Sequence, residues 1–161
     1  MTDNETTAIT DLAVAEQLWI GGRPLEAGRA LTALIPNGAR PRWAGQIVAW
    51  AYRRARRQPE AEVVALVTAL ADGATREEAI RHRDAIAAIL ERVQQSGRFD
   101  SLHEALVTLA LNASRLLVAA PSPESTDPKE GWWFVASLKC VGDELDDGFA
   151  VEAWERLRQL T

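Results

Sequence analysis

Four arginines crowd one short stretch, Arg53-Arg54 and Arg56-Arg57, and four carboxylates crowd another, Asp143-Glu144 and Asp146-Asp147. Guanidinium groups bind phosphate and carboxylate through paired hydrogen bonds, so the first cluster, with Arg42 and Tyr52 near it, could touch a phosphate or an acidic surface. Cations in the last turn of a helix also complement its dipole with no ligand at all. The second cluster could hold a hard cation, which takes oxygen ligands. It is not an EF-hand loop: counted from Asp143, the third ligand position is Leu145 and the twelfth, which needs a bidentate carboxylate, is Trp154. Carboxylates near a helix C-terminus are electrostatically unfavourable, so this cluster needs basic neighbours, either arginines of its own chain or a basic partner.

The remaining reactive residue types do not assemble into a motif. His82-Arg83-Asp84 has the form of a kinase catalytic-loop triplet, but Ile89 stands where the asparagine is required and no glycine-rich loop precedes it. An exposed helical face is expected instead, with Glu77–Arg81 and Glu78–His82 paired one turn apart. His103-Glu104 opens like a zinc-protease helix, which needs a second imidazole where Val107 stands. His103 is expected to be an ordinary polar residue in a first helical turn. Cys140 sits mid-helix beside Val141, where a buried, inert thiol is expected. With no Gly-x-Ser-x-Gly, P-loop or dinucleotide fingerprint, the expectation is no enzyme, no cofactor and no metal.

Six tryptophans remain. Trp43, Trp50 and Trp154 fall on apolar stripes and are expected in the core. Adjacent helical residues point about 100° apart, so Trp132 and Trp133 cannot both enter one groove unless their helix is buried on two sides. Either both are core or one is a binding anchor. An apolar anchor beside a charged rim is the anatomy of a protein interface, which makes Trp132, Trp133, Asp143, Glu144, Asp146 and Asp147 the candidate partner-binding residues. Arg53, Arg54, Arg56 and Arg57 form the alternative basic patch.

These residues are carried by 161 positions, 47% apolar and 25% charged, the balance of one ordinary globular domain. Eighteen basic against twenty-three acidic side chains leave a net charge of −5. That disfavours non-specific binding to nucleic acid or an anionic membrane while permitting a local basic patch. No base-reading Asn, Gln or Ser accompanies the arginines on an adjacent helix face. Met1–Glu5 is polar and acidic, no apolar stretch reaches the roughly 18 residues of a membrane span, and a single cysteine excludes an internal disulfide; a reducing cytoplasm is expected.

Alanine and leucine abound and apolar residues recur at three and four, so every element reads as helix. After a flexible tail at 1–9, Thr10 or Asp11 caps a first helix that stops at Gly21-Gly22. Pro24 opens a second and Pro41 a third. Pro59-Glu60 opens a fourth, apolar on more than one side and therefore expected at the centre. Thr75-x-x-Glu78 and Ser101-x-x-Glu104 are capping boxes for the fifth and sixth. The segment 119–130, with three prolines, is expected to be an exposed connection ending in an Asp127 cap, from which a seventh helix starts at 128. The eighth follows Asp147-Gly148. Ala15, Leu18, Gly22, Ala27 and Leu31 lie on a spacing similar to a tetratricopeptide helix hairpin, over one repeat; Pro36 comes about three residues early for that pattern, and no 34-residue period follows. The resemblance implies hairpin stacking.

The whole is expected to be all-α: a single domain, 10–161, forming a bundle or short stack of about eight antiparallel helices. The expected role is that of a non-enzymatic interaction module (adaptor, immunity-like inhibitor or regulatory subunit) for a protein partner, including a second copy of itself as a homo-oligomer. The alternative is a small nucleic-acid-binding regulator using the arginines that end the third helix. No membrane association is expected.

Overall fold

Helical spacing of alanine and leucine is realised along the whole of the computed structural model, which describes residues 12–97, 100–120 and 129–159. Among these residues there are eight α-helices and no strand. They are α1 at 12–20, α2 (Pro24–Ala33), α3 (Arg40–Ala55) after a 3-10 turn at Asn37–Ala39, α4 (Ala61–Asp72), α5 (Arg76–Gln95), α6 (Ser101–Ala119), α7 (Lys129–Asp143) and α8 (Gly148–Gln159). The expected tail at 1–9, the cap at Thr10 or Asp11, the Asp127 cap with its start at 128, and the 121–128 part of the connection lie outside the described residues.

The boundaries follow from local chemistry. Pro24 sits in the first turn of α2 and Pro41 in that of α3, where a missing N–H is harmless. Gly73, at φ 87°, ends α4 in a conformation closed to other side chains. Thr75 caps α5 as expected: its hydroxyl oxygen accepts from the Glu78 N–H at 3.2 Å. The sixth helix is capped one residue earlier than expected. Asp100, not Ser101, accepts from the His103 N–H at 3.1 Å, and the Ser101 hydroxyl instead donates to Glu144 at 2.6 Å.

The helices form a bundle around α6 and α7. The former packs on α3, α4, α5 and α7, and the latter also on α2 and α8. One apolar cluster runs through them, with Ile47, Leu106, Leu117, Phe134, Leu138 and Phe149 fully buried. Trp43, Trp50 and Trp154 are in this core as the stripes predict. Trp43 meets Phe134 edge-on at 5.3 Å, and Trp50 tilts over Phe149 at 5.2 Å. Trp19 stacks on Trp154 and donates its indole N–H to the Ala150 carbonyl at 3.0 Å, tying α1 to α8. Helix α6 has the length and composition to cross a membrane, contrary to the sequence expectation, but more than half of it is covered by its neighbours.

The small residues of α2 serve a long-range contact. A Cβ on Gly28 would lie 2.7 Å from the Gly131 carbonyl oxygen, so α2 approaches α7 backbone to backbone. Helix α4 departs from expectation. It lies at the edge of the bundle, with Val63, Leu66, Ala69 and Leu70 turned inward. Its other apolar side, carrying Val64, Val67 and Ala71, is open or half-open.

Candidate binding face on helices α3, α4 and α8

The four arginines lie at the end of α3, Arg53 and Arg54 in its last turn and Arg56 and Arg57 just past Ala55, and their partners divide them. Arg54 and Arg57 are bonded to their own chain: Arg54 grips Asp146 at 2.9 and 3.0 Å and also bonds Glu152, while Arg57, itself exposed, bonds Asp100 at 3.0 Å. Arg53 and Arg56 turn outward, exposed, and among the described residues neither forms an ion pair. The Arg54 contacts raise its own already high pKa and, chiefly through the guanidinium hydrogen bond, hold the Asp146 carboxyl below the usual range. Asp100 is likewise lowered, first by the His103 backbone N–H and then by Arg57.

Along the outward side of α3 two hollows open, of about 380 and about 570 Å³, and they share Ala49, Arg53 and Val67 as a common wall. The larger lies between the end of α3 and α4, floored by Val48, Val63, Val64 and Val67 and rimmed by Arg53, Arg56 and Arg57. The smaller continues toward α8, where Arg42, Arg53 and Arg156 meet Gln46 and Gln159. Five arginines therefore line the pair, and among the described residues no carboxylate does. In a chain of net charge −5 that is a marked local inversion of sign.

Beneath the larger hollow lies a polar cluster that leaves no motif in the sequence. Glu60, at the start of α4, is paired through Oε1 with His103 Nε2 of α6. Its other oxygen and the Tyr52 hydroxyl are buried without a hydrogen-bond partner. Burial, and secondarily the nearby Glu60 charge, push the Tyr52 phenol well above its usual pKa. His103 is thus half-buried and paired.

The residues expected on the α7–α8 surface are spread along α7 and the turn before α8. Trp133 is 49% exposed. Trp132 is half-buried under the Arg29 guanidinium, 5.2 Å from its ring, and its indole N–H is buried without a partner. Asp143 takes a bond from Lys139 at 2.7 Å, Glu144 from Ser101 and Asp146 from Arg54. Among the described residues Asp147 has no ion-pair partner. Trp133 and Asp143 are ten residues apart on one helix, about 15 Å along the axis and roughly 80° around it.

Three further expectations change. Cys140 is exposed, not buried, because the inward side of α7 is taken by Phe134, Leu138 and Val141. The Glu77–Arg81 and Glu78–His82 pairs do not form among the described residues: Glu78 accepts from the Thr75 hydroxyl at 3.0 Å, and Arg83 turns to Asp84. The lining residues Val64, Val67, Arg156 and Gln159 were not singled out from sequence, although the two-sided apolarity of α4 was the trace they left. No family model, curated protein or solved structure matches the chain.

Proposed function

We propose that this protein is a non-enzymatic helical interaction module that receives a protein partner on the face formed by α3, α4 and the end of α8. The observation that carries the reading is the second apolar side of α4. Val64, Val67 and Ala71 recur at three and four residues, Val64 and Ala71 exposed and Val67 half-buried against the core, in hollows that share Arg53. An apolar floor with a charged rim is how protein interfaces are built, and arginine is over-represented among their energetic centres. The excess of positive charge on this face favours an acidic partner. An adaptor, an immunity-like inhibitor or a regulatory subunit working in the cytoplasm would use such a face.

Binding of nucleic acid is the second reading, favoured by the two unpaired guanidinium groups. It is weaker because Arg54 and Arg57 are already bonded to carboxylates of their own chain, and because a valine floor offers a phosphate backbone nothing. The test compares the proteins retained by the wild type and by the Arg53→Glu/Arg56→Glu variant, both verified by melting temperature. A partner held by the first and lost by the second, at equal stability, is the expected result. An identical set on both would remove this face from the reading, and the same comparison with Trp133→Ala would then examine α7.

A further inference from the structure

We infer that the occupant of this face is an acidic amphipathic helix of the partner, laid along α3. The inference rests on the reading of the face as a protein-docking surface and adds the form of what docks. The two hollows run beside α3 from Arg42 to its end at Ala55, about 20 Å at the helical rise and thus the length of a helix of about 13 residues, and reach past it to Arg57. One mode for an extended segment, addition as a strand to a sheet edge, is closed here because no described residue forms a strand. A helix bonds its own backbone and presents side chains alone.

The face matches that form. On α4 the open apolar residues Val64, Val67 and Ala71 follow helical spacing, a ridge against which a partner's stripe at i, i+3 or i+4, and i+7 would pack. On α3, Arg42 and Arg53 stand at either end of the small, half-buried Ala49, so a backbone can come close in the middle and meet charge on both sides. Carboxylates flanking the partner's apolar stripe would reach Arg53 and Arg56, whose guanidinium groups have no competing ion pair among the described residues.

The test is a displayed library of random peptides of about 15 residues, selected at physiological salt on the wild type and counter-selected on Arg53→Glu/Arg56→Glu. A random oligonucleotide pool is passed over the same two proteins. The expected result is enrichment of sequences with apolar residues at helical spacing and Asp or Glu between them, retained at least about tenfold better by the wild type, a difference of ~1.4 kcal/mol. One such peptide, synthesised, should gain helical circular dichroism on mixing. Arginine-dependent peptides that lack the spacing, or bind without becoming helical, would overturn the helix and leave the docking face standing. Peptides held equally by both proteins would overturn the face and the inference together. Arginine-dependent retention of oligonucleotides in preference to peptides would assign the face to nucleic acid and overturn both.

Discussion

Arg56 holds a backbone conformation that folding alone would give to glycine. Its φ is 56°, the only positive value among the described non-glycine residues. It closes α3 with the Arg57 N–H bonded to the Tyr52 carbonyl at 3.0 Å, a turn in which a Cβ is a steric burden. Arg56→Gly should therefore raise stability by about 1 kcal/mol in chemical denaturation, and no gain would show that the strain is absorbed elsewhere. If the same variant loses partner binding, the guanidinium is held there for contact. Tyr52 gives a cleaner test, being the only tyrosine of the chain. Its phenolate absorbance should be silent in the folded protein through the ordinary range near ~10 and appear there once the chain is denatured. The folded value is raised, so stability is intact below the unfolded pKa and is lost as pH climbs toward the folded one. Tyr52→Phe removes this titration and should flatten the fall of melting temperature as pH rises past ~10. From sequence the four arginines looked equivalent. Which of them are bonded within the chain depends on carboxylates 43 to 98 residues away, and the left-handed turn at Arg56 takes Arg57 off the helical spacing.

At the scale of elements, helix type and most ends were legible because they depend on neighbours in sequence. Thr75, Pro24 and Gly73 act within one turn of themselves. The Asp100 cap was misplaced by one residue because Ser101 satisfies the same local pattern, and only the distant Glu144, which takes the Ser101 hydroxyl, decides between them. Helix α4 lies elsewhere than expected for a related reason: apolar residues on two sides signal two contacts, and the sequence does not say that the bundle leaves one of those sides open or half-open. The α2–α7 contact was invisible in the same way, and it is open to test. A Cβ on Gly131 would stand 1.9 Å from Thr32 Oγ1 and 2.6 Å from Thr32 Cβ, so it could not be accommodated by a rotamer change. Gly131→Ala gains up to ~1 kcal/mol of helix propensity and must still force the two helices apart. A net loss of about 1–3 kcal/mol is expected, against no comparable loss for Gly38→Ala, whose Cβ would meet nothing. Equal stability of the two variants would mean that α2 and α7 do not approach as described.

For the whole molecule, amphipathic stripes say how much each helix buries but not against which neighbour, so the all-α bundle could be read and its helix pairs could not. The charged ends show what fixes one of those arrangements. Arg57 ties the end of α3 to Asp100 at the start of α6, and Arg54 ties it to Asp146 in the turn before α8 and to Glu152 within α8. The acidic cluster thus finds part of its required counter-charge within its own chain. Asp100 and Asp146 both have folded pKa values below the unfolded ~3.9, so their contribution is present above that value and is lost as pH falls through the folded one. These carboxylates are solvent-exposed and each bridge is individually modest, but all three converge on the same short stretch of α3. Acidification should therefore lower the melting temperature chiefly below pH ~4, and high salt should lower it slightly at neutral pH. Asp100→Asn/Asp146→Asn keeps the cap of α6 in amide form and removes both titrations. It should start from a lower melting temperature at neutral pH and fall less steeply with acid than the wild type. Parallel curves for the two proteins would place the acid sensitivity in other carboxylates and leave the orientation of α3, and with it the outward display of Arg53 and Arg56, to apolar packing alone.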